Sequence, residues 1–285
     1  MKPASFRYLA PRSAGEAMQM LAEHGEDTRL LAGGQSLVPL MNLRMGKPRV
    51  LIDLGGCADL AFVEERAASV AYGAMTRQID AQRSPVTQAH CRLVGQALAL
   101  AGPVAVRNRA TVGGTLAHAD RSAELPGVAA ALDAVFVIDG PRGRREVSAE
   151  RFFIADLTTD VQPGEMLREV RFPKLGAGCF STFVEAGLRA RDMAVAGVAA
   201  AISFNRDRSC AAVALAVIGV EATPVRLRSI EAKLASRKLD AALIAQAAKD
   251  AAGLVQPLSD VHATEAYRRH VVGALVAQAL EQALR

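Results

Sequence analysis

Two glycine pairs stand beside polar side chains that could bind an anion. Residues 30–37 read LLAGGQSL and residues 110–117 read ATVGGTLA. Glycine permits a sharp turn and lets the backbone approach a ligand closely. A strand, a glycine turn and a helix start together direct backbone N–H groups at one point, which suits a phosphate. Two such turns could hold a pyrophosphate from both sides, whereas either pair alone is also compatible with an ordinary tight turn.

The stretch around the second glycine pair carries more polar groups than a turn requires. VRNRATVGGTLAHADRSAELP spans residues 106–126. Asn108 and Thr111 could bind ribityl or ribose hydroxyls, and Glu124 could accept a hydrogen bond from a sugar-like hydroxyl. For His118 and the neighbouring arginines, a structural or solvated role stays open. The same stretch also contains Thr115 and Asp120.

Other chemistry is not indicated by the sequence. There is no GxxxxGK[ST] motif and no GxGxxG between a strand and a helix. We find no acid–base pair or nucleophile constellation, so no catalytic residue is predicted. The four cysteines are far apart and lack CxxC spacing, so neither an iron–sulfur cluster nor another metal site is predicted on this chain. These cysteines are Cys57, Cys91, Cys179 and Cys210.

The elements that would position these residues form an α+β pattern. In the first 54 residues, strands at 6–10, 28–32 and 50–54 enclose two helices, one beginning with a Ser13–Glu16 capping box and one capped by Ser36. This predicts a compact βαβαβ unit.

The remaining sequence divides near Pro173 and the glycines of LGAG (175–178). Before this point we predict strands at 67–73, 134–138 and 167–172 and helices at 89–101 and 122–132. After it we predict strands at 179–185, 194–204 and 211–220, followed by helices at 227–235, 240–252 and 263–284. A small sheet followed by a helix cluster is an α+β arrangement.

Composition narrows the class of protein. The chain has 285 residues, of which 51% are hydrophobic, and a net charge of +5. Basic residues are scattered, with RGRR at 142–145 the densest group, and no nucleic-acid-binding signature accompanies them, so a nucleic-acid partner is not expected. The N-terminus lacks the apolar core of a signal peptide, and no apolar stretch is long enough for a transmembrane segment. We therefore predict a cytoplasmic protein.

Two long stretches resemble one family. LAGGQSLVPLMNLRMGKPRVLIDL (31–54) and VRNRATVGGTLAHADRSAELPGVAAALDA (106–134) are similar to the FAD-binding medium subunits of molybdenum hydroxylases, which include the flavoproteins of carbon monoxide dehydrogenase and of the xanthine dehydrogenase group. The resemblance extends from FRYLAPRSAGEAMQML near the start to YRRHVVGALVAQAL near the end. It implies a vanillyl-alcohol-oxidase (PCMH) type FAD-binding domain at 1–175, with α/β subdomains at about 1–54 and 55–175. The family's C-terminal domain would follow at 176–285, with a small antiparallel sheet and a helix cluster.

The resemblance also assigns roles to residues that would bind FAD noncovalently. Glu124 corresponds to an acid that bonds the sugar chain of the flavin, and Ala101 with Gly102 lies where the chain passes the ring. The loop RARDMAVAG (189–197) corresponds to a loop near the isoalloxazine, and Met193 stands where many relatives have Tyr or Phe. The first pyrophosphate-binding turn would comprise Ala32, Gly33, Gly34, Gln35, Ser36 and Leu37, and the second Thr111, Val112, Gly113, Gly114 and Thr115. Asn108, His118 and Asp120 complete the predicted cofactor-binding set.

The function implied is electron transfer within a larger enzyme. A large molybdenum-cofactor subunit would oxidise the substrate, and a small subunit with two [2Fe–2S] clusters would pass electrons to FAD on this chain and from there to an external acceptor. The complex would be a dimer of heterotrimers. Two alternatives stay open: a stand-alone FAD-dependent oxidase or dehydrogenase with its own substrate site, and a non-catalytic assembly subunit.

Overall fold

A parallel three-stranded sheet opens the chain. The computed structural model describes residues 2–189 and 191–285. The strand order is β1-β3-β2, and both outer strands pair with β3 in parallel. The elements are β1 (Arg7–Leu9), α1 (Ala14–His24), β2 (Thr28–Leu31), α2 (Leu37–Asn42) and β3 (Val50–Asp53). The predicted βαβαβ unit is confirmed, and it places the first glycine pair directly after β2.

The helix caps of this unit differ in part from the prediction. The Ser13 hydroxyl accepts a hydrogen bond from the Glu16 N–H at 3.2 Å, as expected for the N-cap of α1. The Glu16 carboxylate accepts a hydrogen bond from the N–H of Arg12 at 2.8 Å. In a capping box it would accept from the N–H of Ser13 instead. The predicted cap of α2 is wrong, because Ser36 has helical dihedral angles (φ −107°, ψ −50°) and its side chain makes no capping bond. A side chain caps from an extended backbone, which Ser36 does not adopt.

An antiparallel five-stranded sheet forms the second layer, in the order β4-β5-β10-β6-β7. The predicted strands at 67–73, 134–138 and 167–172 correspond to its three inner strands, whereas the β6–β7 hairpin was not predicted. The elements are β4 (Val63–Glu65), β5 (Ser69–Gly73), α3 (Gln78–Arg83), α4 (Pro85–His90), α5 (Arg92–Leu100), α6 (Val104–Arg107), α7 (Val112–His118), α8 (Glu124–Ala131), β6 (Val135–Gly140), β7 (Gly143–Ser148), α9 (Ala149–Phe152), β8 (Phe153–Ala155), β9 (Thr158–Thr159) and β10 (Met166–Pro173).

The second glycine pair belongs to a helix. We predicted a turn at Gly113 and Gly114, but both lie in the first turn of α7, whose N-cap is Thr111. Helix α8 follows after a short loop and agrees with the predicted helix at 122–132.

A four-stranded antiparallel sheet and a helix cluster form the last layer. The strand order is β11-β12-β13-β14, and α12 packs against α11 and β12. This agrees with the predicted small antiparallel sheet and helix cluster. The elements are β11 (Phe180–Gly187), β12 (Ala194–Phe204), β13 (Cys210–Ile218), β14 (Val225–Arg226), α10 (Arg228–Leu234), α11 (Ala241–Leu254) and α12 (Glu265–Gln282).

The largest hydrophobic core joins the second and third sheets. It contains Leu98 and Leu125 from α5 and α8 together with Phe183 and Ile218 from β11 and β13. A Cβ atom added to Gly127 of α8 would lie 2.6 Å from Cγ2 of Ile218, so the helix rests directly on the third sheet.

In residues 2–189 and 191–285, each helix is too short or too polar to cross a membrane.

Candidate functional site

The two glycine segments touch each other. We name residues 32–37 the first glycine segment and residues 111–115 the second. A Cβ atom added to Gly33 would lie 2.3 Å from the carbonyl oxygen of Arg109, two residues before the second segment. A Cβ atom at Gly114 would lie 3.2 Å from Cβ of Ala32. Positions 33 and 114 therefore require glycine, since the two parts of the chain approach too closely for a side chain.

The segments together line one cavity of about 510 Å³, which we name the glycine cavity. The structure brings most of the predicted cofactor-binding residues to it. They are Ala32, Gly33, Gly34, Gln35, Ser36, Leu37, Thr111, Gly113, Gly114, Thr115 and His118. Val112 is fully buried in the core instead, and Asn108 is exposed at the end of α6, away from the described lining of this cavity.

Part of the lining of the glycine cavity, which we name the apolar wall, consists of large apolar side chains and was not predicted. Its residues come from β2, α2, the loop after α2, the end of β3 and the start of β10, and they are Leu30, Leu40, Met45, Leu54, Met166 and Leu167. Ligand sites typically combine such apolar walls with a few placed polar groups. In the sequence, the only local sign of this wall is that Leu30 and Leu40 stand on either side of the first glycine pair.

The first glycine segment presents unpaired backbone donors. The N–H groups of residues 33–37 have no hydrogen-bond acceptor within residues 2–189 and 191–285. Gly34 has φ +75°, a conformation that favours glycine, and α2 begins at Leu37. Consecutive free N–H groups at a turn that leads into a helix form an anion-binding site.

The second glycine segment differs, because its N–H groups are already used. The N–H of Val112 donates to the Thr76 carbonyl and that of Gly113 to the Ala74 carbonyl, both at 2.9 Å. The N–H of Gly114 donates to Oγ1 of Thr111 at 3.0 Å, and that of Thr115 to the Thr111 carbonyl at 3.1 Å. The expectation that both turns offer free amides is therefore wrong for this one. What it can offer are the hydroxyl protons of Thr111 and Thr115, since a hydroxyl that accepts a bond can still donate one.

A second cavity, of about 370 Å³, lies between the loop after α7 and the loop before α12, and we name it the Asp260 cavity. Asp120 and Met193 of the predicted set line it, and Leu157 lines both cavities. The Met193 side chain is 55% exposed. The structure thus places these two predicted residues in the Asp260 cavity, apart from the glycine segments.

An ion cluster closes the Asp260 cavity. Oδ2 of Asp260 accepts hydrogen bonds from Arg121 and Arg268, both at 2.6 Å. Arg268 is only 3% exposed. Burial alone would raise the pKa of Asp260, but the backbone N–H groups of His262 and Ala263 and the Arg268 guanidinium outweigh it and lower the pKa to about 2. The sequence did not predict this cluster, because its members are remote from one another along the chain.

Glu124 is buried at the first position of α8, with 8% of its surface exposed. Burial raises the pKa of Glu124 to about 8, and the charges of Glu185 and Asp120 act in the same direction. With this pKa, the Glu124 carboxyl is mostly protonated at neutral pH, so it can donate a hydrogen bond as well as accept one. The predicted contact with a sugar-like hydroxyl stays a prediction.

The segment Ala101–Gly102 is held by a buried arginine. Arg107 is 4% exposed, and its Nη1 donates to the carbonyl of Ala101 at 3.1 Å and to that of Gly102. Gly102 has φ +54°. The guanidinium therefore fixes the backbone of the segment that the resemblance assigns to the ring.

An anion-binding turn beside a partly apolar cavity, on an α+β fold with three larger sheets and the small β8–β9 sheet, is typical of a protein that binds a dinucleotide-like cofactor. Residues 4–175 match the FAD binding domain in molybdopterin dehydrogenase, and residues 181–283 match the CO dehydrogenase flavoprotein C-terminal domain. The chain belongs to this family of FAD-binding medium subunits.

Individual relatives agree with the assignment. The chain is 34% identical to the 6-hydroxypseudooxynicotine dehydrogenase complex subunit alpha of Paenarthrobacter nicotinovorans, over 100% of this chain and 96% of that protein. It is 33% identical to the carbon monoxide dehydrogenase medium chain of Hydrogenophaga pseudoflava, over 99% of this chain and 98% of that protein.

Solved structures give the same result. Carbon monoxide dehydrogenase from Hydrogenophaga pseudoflava superposes with a TM-score of 0.96 at 34% identity, over 100% of this chain and 99% of that chain. Quinoline 2-oxidoreductase from Pseudomonas putida 86 superposes with a TM-score of 0.94 at 33% identity, over 99% and 98% of the two chains. The predicted fold and the predicted family are confirmed.

Proposed function

We propose that this chain is the electron-transfer subunit of a molybdenum hydroxylase complex, and that its FAD passes electrons from the [2Fe–2S] clusters of a partner subunit to an external acceptor. The observation that carries the proposal is the run of unpaired N–H groups at residues 33–37 beside the glycine cavity. The family assignment supports it, as do relatives whose names describe subunits of dehydrogenases.

The donor set fits FAD bound without a covalent link. The N–H groups of the first glycine segment would hold the pyrophosphate, assisted by the hydroxyls of Thr111 and Thr115. The apolar wall would accept a flat aromatic part of the cofactor. When bound, FAD supplies a ring that takes up electrons singly or in pairs, and the protein positions and tunes it.

Further contacts follow from the resemblance. Glu124 would bond the sugar chain of the flavin, with its acid proton as donor. Ala101 and Gly102, held by Arg107, would pass the ring. Met193 would lie close to the isoalloxazine. We further propose that residues 1–175 form the FAD-binding domain and residues 176–285 the C-terminal domain of the family.

The proposal includes two partner subunits and a cellular location. A large subunit would carry the molybdenum cofactor and a small one the [2Fe–2S] clusters, in a dimer of heterotrimers. All four cysteines of this chain are buried free thiols. Free thiols are typical of a reducing compartment, which supports a cytoplasmic location.

The test uses the purified complex, native and stripped of flavin. Each form is mixed anaerobically with the organic substrate, and cluster bleaching is followed separately from transfer to the acceptor. If the flavin is the outlet for electrons, clusters still bleach in the stripped complex while transfer to the acceptor stops. Clusters that no longer bleach would place the flavin at the substrate, as in a stand-alone dehydrogenase. A chain purified without flavin absorbance, and unable to acquire it, would indicate an assembly subunit.

A further inference from the structure

A cavity of about 560 Å³ contains two arginines and also borders the first glycine segment, and we name it the arginine cavity. Its charged lining residues are Arg77, Arg109 and Asp53, and none of these three lines the glycine cavity. Residues 32–35 line both cavities. An anion at the first glycine segment therefore lies next to charged side chains that the glycine cavity does not contain.

The guanidinium of Arg77 lies beside the first glycine segment. Its Nη1 donates a hydrogen bond to the carbonyl oxygen of Arg109. That same oxygen lies 2.3 Å from the Cβ position of Gly33. The charge of Arg77 is therefore held within a few ångströms of Gly33, where the run of unpaired N–H groups at residues 33–37 begins.

The backbone of Arg77 is fixed by the second glycine segment. Arg77 forms an antiparallel β-bridge with Thr111. The N–H of the next residue, Gln78, donates to the Ala110 carbonyl at 2.9 Å. The side chain of Arg77 thus starts from a fixed point, so it loses less freedom on binding an anion than a side chain on a mobile loop would.

The two arginines lack acidic partners. In the described part of the chain, neither Arg77 nor Arg109 forms an ion pair with a carboxylate. The bond to the Arg109 carbonyl uses one N–H of the Arg77 guanidinium, which has five, and the others have no acceptor within residues 2–189 and 191–285. Both side chains therefore keep donors and charge for a ligand.

The carboxylate in the lining is already engaged. Asp53 accepts hydrogen bonds from the Tyr8 hydroxyl at 2.6 Å and from the Gly55 N–H at 2.8 Å. Two cations against one engaged carboxylate leave the arginine cavity with a net positive charge, which attracts anions.

The chemistry of these donors suits a diphosphate. A guanidinium can bond two oxygens of a phosphate at once, and free backbone N–H groups bind phosphate oxygens as well. A diphosphate has enough oxygens to bond both kinds of donor. The N–H groups of residues 112–115 are used within the chain, so the second glycine segment cannot supply the missing donors from its backbone.

We propose that Arg77 and Arg109 form the cationic side of a diphosphate-binding site at the first glycine segment. Arg77 bonds the diphosphate oxygens, and Arg109 adds positive charge. The assignment of this diphosphate to FAD rests on the proposed function, whereas the site itself does not.

The first measurement titrates inorganic pyrophosphate into the FAD-free full chain by calorimetry. Arg206→Gln is the control, because it removes the same charge from an exposed turn between β12 and β13. We expect Arg77→Gln to bind pyrophosphate about tenfold more weakly than the native chain and the control, as for the loss of a hydrogen bond to a charged group. Arg77→Lys keeps the charge without the planar fork and should lie between them. Equal affinities in Arg77→Gln and the control, or no binding by the native chain, would overturn the site.

Arg109→Gln tests the charge without disturbing the contact between the segments, because that contact uses the backbone carbonyl of Arg109. Mobile ions screen charges that are open to solvent. We therefore expect Arg109→Gln to bind pyrophosphate more weakly than the control at low salt and equally well at high salt. An affinity equal to that of the control at low salt would remove Arg109 from the site.

The second measurement titrates FAD into the same variants. We expect the same order of affinities, since the diphosphate would belong to the cofactor. A pyrophosphate affinity that falls in Arg77→Gln beside an unchanged FAD affinity would assign the site to a free diphosphate and overturn its role in cofactor binding. Should the native chain bind pyrophosphate through these arginines but bind no FAD, the proposed function fails and the diphosphate site stands.

Discussion

The carbonyl oxygen of Arg109 lies where the side chain of any larger residue at position 33 would begin. A Cβ atom at Gly33 would be 2.3 Å from that oxygen and 2.6 Å from Cα of Ala110. Both values are far below van der Waals contact, and the obstructing atoms are backbone, which cannot rotate away. The two glycine segments are thus fixed against each other before any ligand is bound, and the shape of the glycine cavity depends on this contact.

We predict that Gly33→Ala separates the glycine segments. The free energy of unfolding should fall by about 1–3 kcal/mol because of overpacking, and the bound FAD per chain should fall with it. Gly46→Ala is the control, since Gly46 lines the same cavity but has no atom within 4 Å of an added Cβ. Chemical denaturation and flavin absorbance after gel filtration measure both effects. A Gly33→Ala chain as stable and as flavin-rich as Gly46→Ala would show that the segments need not touch.

We predict that the Thr111 hydroxyl serves both the helix and the ligand. Its Oγ1 caps α7 by accepting from Gly114 N–H at 3.0 Å, and its proton stays free to donate. Thr111→Val should cost about 1 kcal/mol of stability through the lost cap. It should also weaken FAD binding about tenfold, as expected for one hydrogen bond to a charged group. Thr111→Ser keeps the hydroxyl and should match the native chain in both assays. Equal affinities for Val and Ser variants would exclude the hydroxyl as a ligand donor.

We predict that Asp260 stabilises the fold in a pH-dependent way. Its pKa is lowered from 3.8 to about 2, so the folded state binds this proton less readily than the unfolded state. The stabilisation is therefore complete above about pH 4 and is lost as the pH falls toward 2. Asp260→Asn leaves the buried Arg268 without its carboxylate and should cost about 3 kcal/mol at pH 7.

Denaturation at several pH values checks this prediction. The difference between Asp260→Asn and the native chain should narrow as the pH is lowered. Asp156→Asn is the control, because Asp156 lines the same cavity but only accepts a weak bond from the Arg121 N–H at 3.4 Å. A constant difference across the pH range would mean that the Asp260 charge contributes nothing.

The sequence predicted the elements well because their signals are local. The strand at 28–32, the glycine pair and the strand at 50–54 predicted the βαβαβ unit, since alternating strands and helices in a short span leave few other topologies. The second glycine pair was misread as a turn because glycine weakens a helix signal. In α7 the conformational cost of glycine in a helix is offset by close packing, because a Cβ atom at Gly113 would lie 2.5 Å from Cα of Ala74.

The polar clusters could not be predicted, because they exist only in the folded chain. Arg121 and Asp260, for example, are 139 residues apart along the chain. The protonation of Glu124 follows from burial, which a residue type alone does not reveal.

The last prediction concerns the loop at Met193, which the resemblance places near the isoalloxazine. In the structure its side chain is 55% exposed at the rim of the Asp260 cavity, so it is free to be replaced by a larger one. If the loop covers the isoalloxazine ring, the tyrosine side chain in Met193→Tyr should stack on that ring. This stacking should quench the flavin fluorescence several-fold. Leu254→Tyr adds the same ring at an exposed position on α11 and should leave the fluorescence unchanged. The measurement compares the fluorescence of both FAD-loaded variants and the native chain at equal flavin concentration. Equal emission from both tyrosine variants and the native chain would place the flavin ring elsewhere and remove Met193 from the cofactor site.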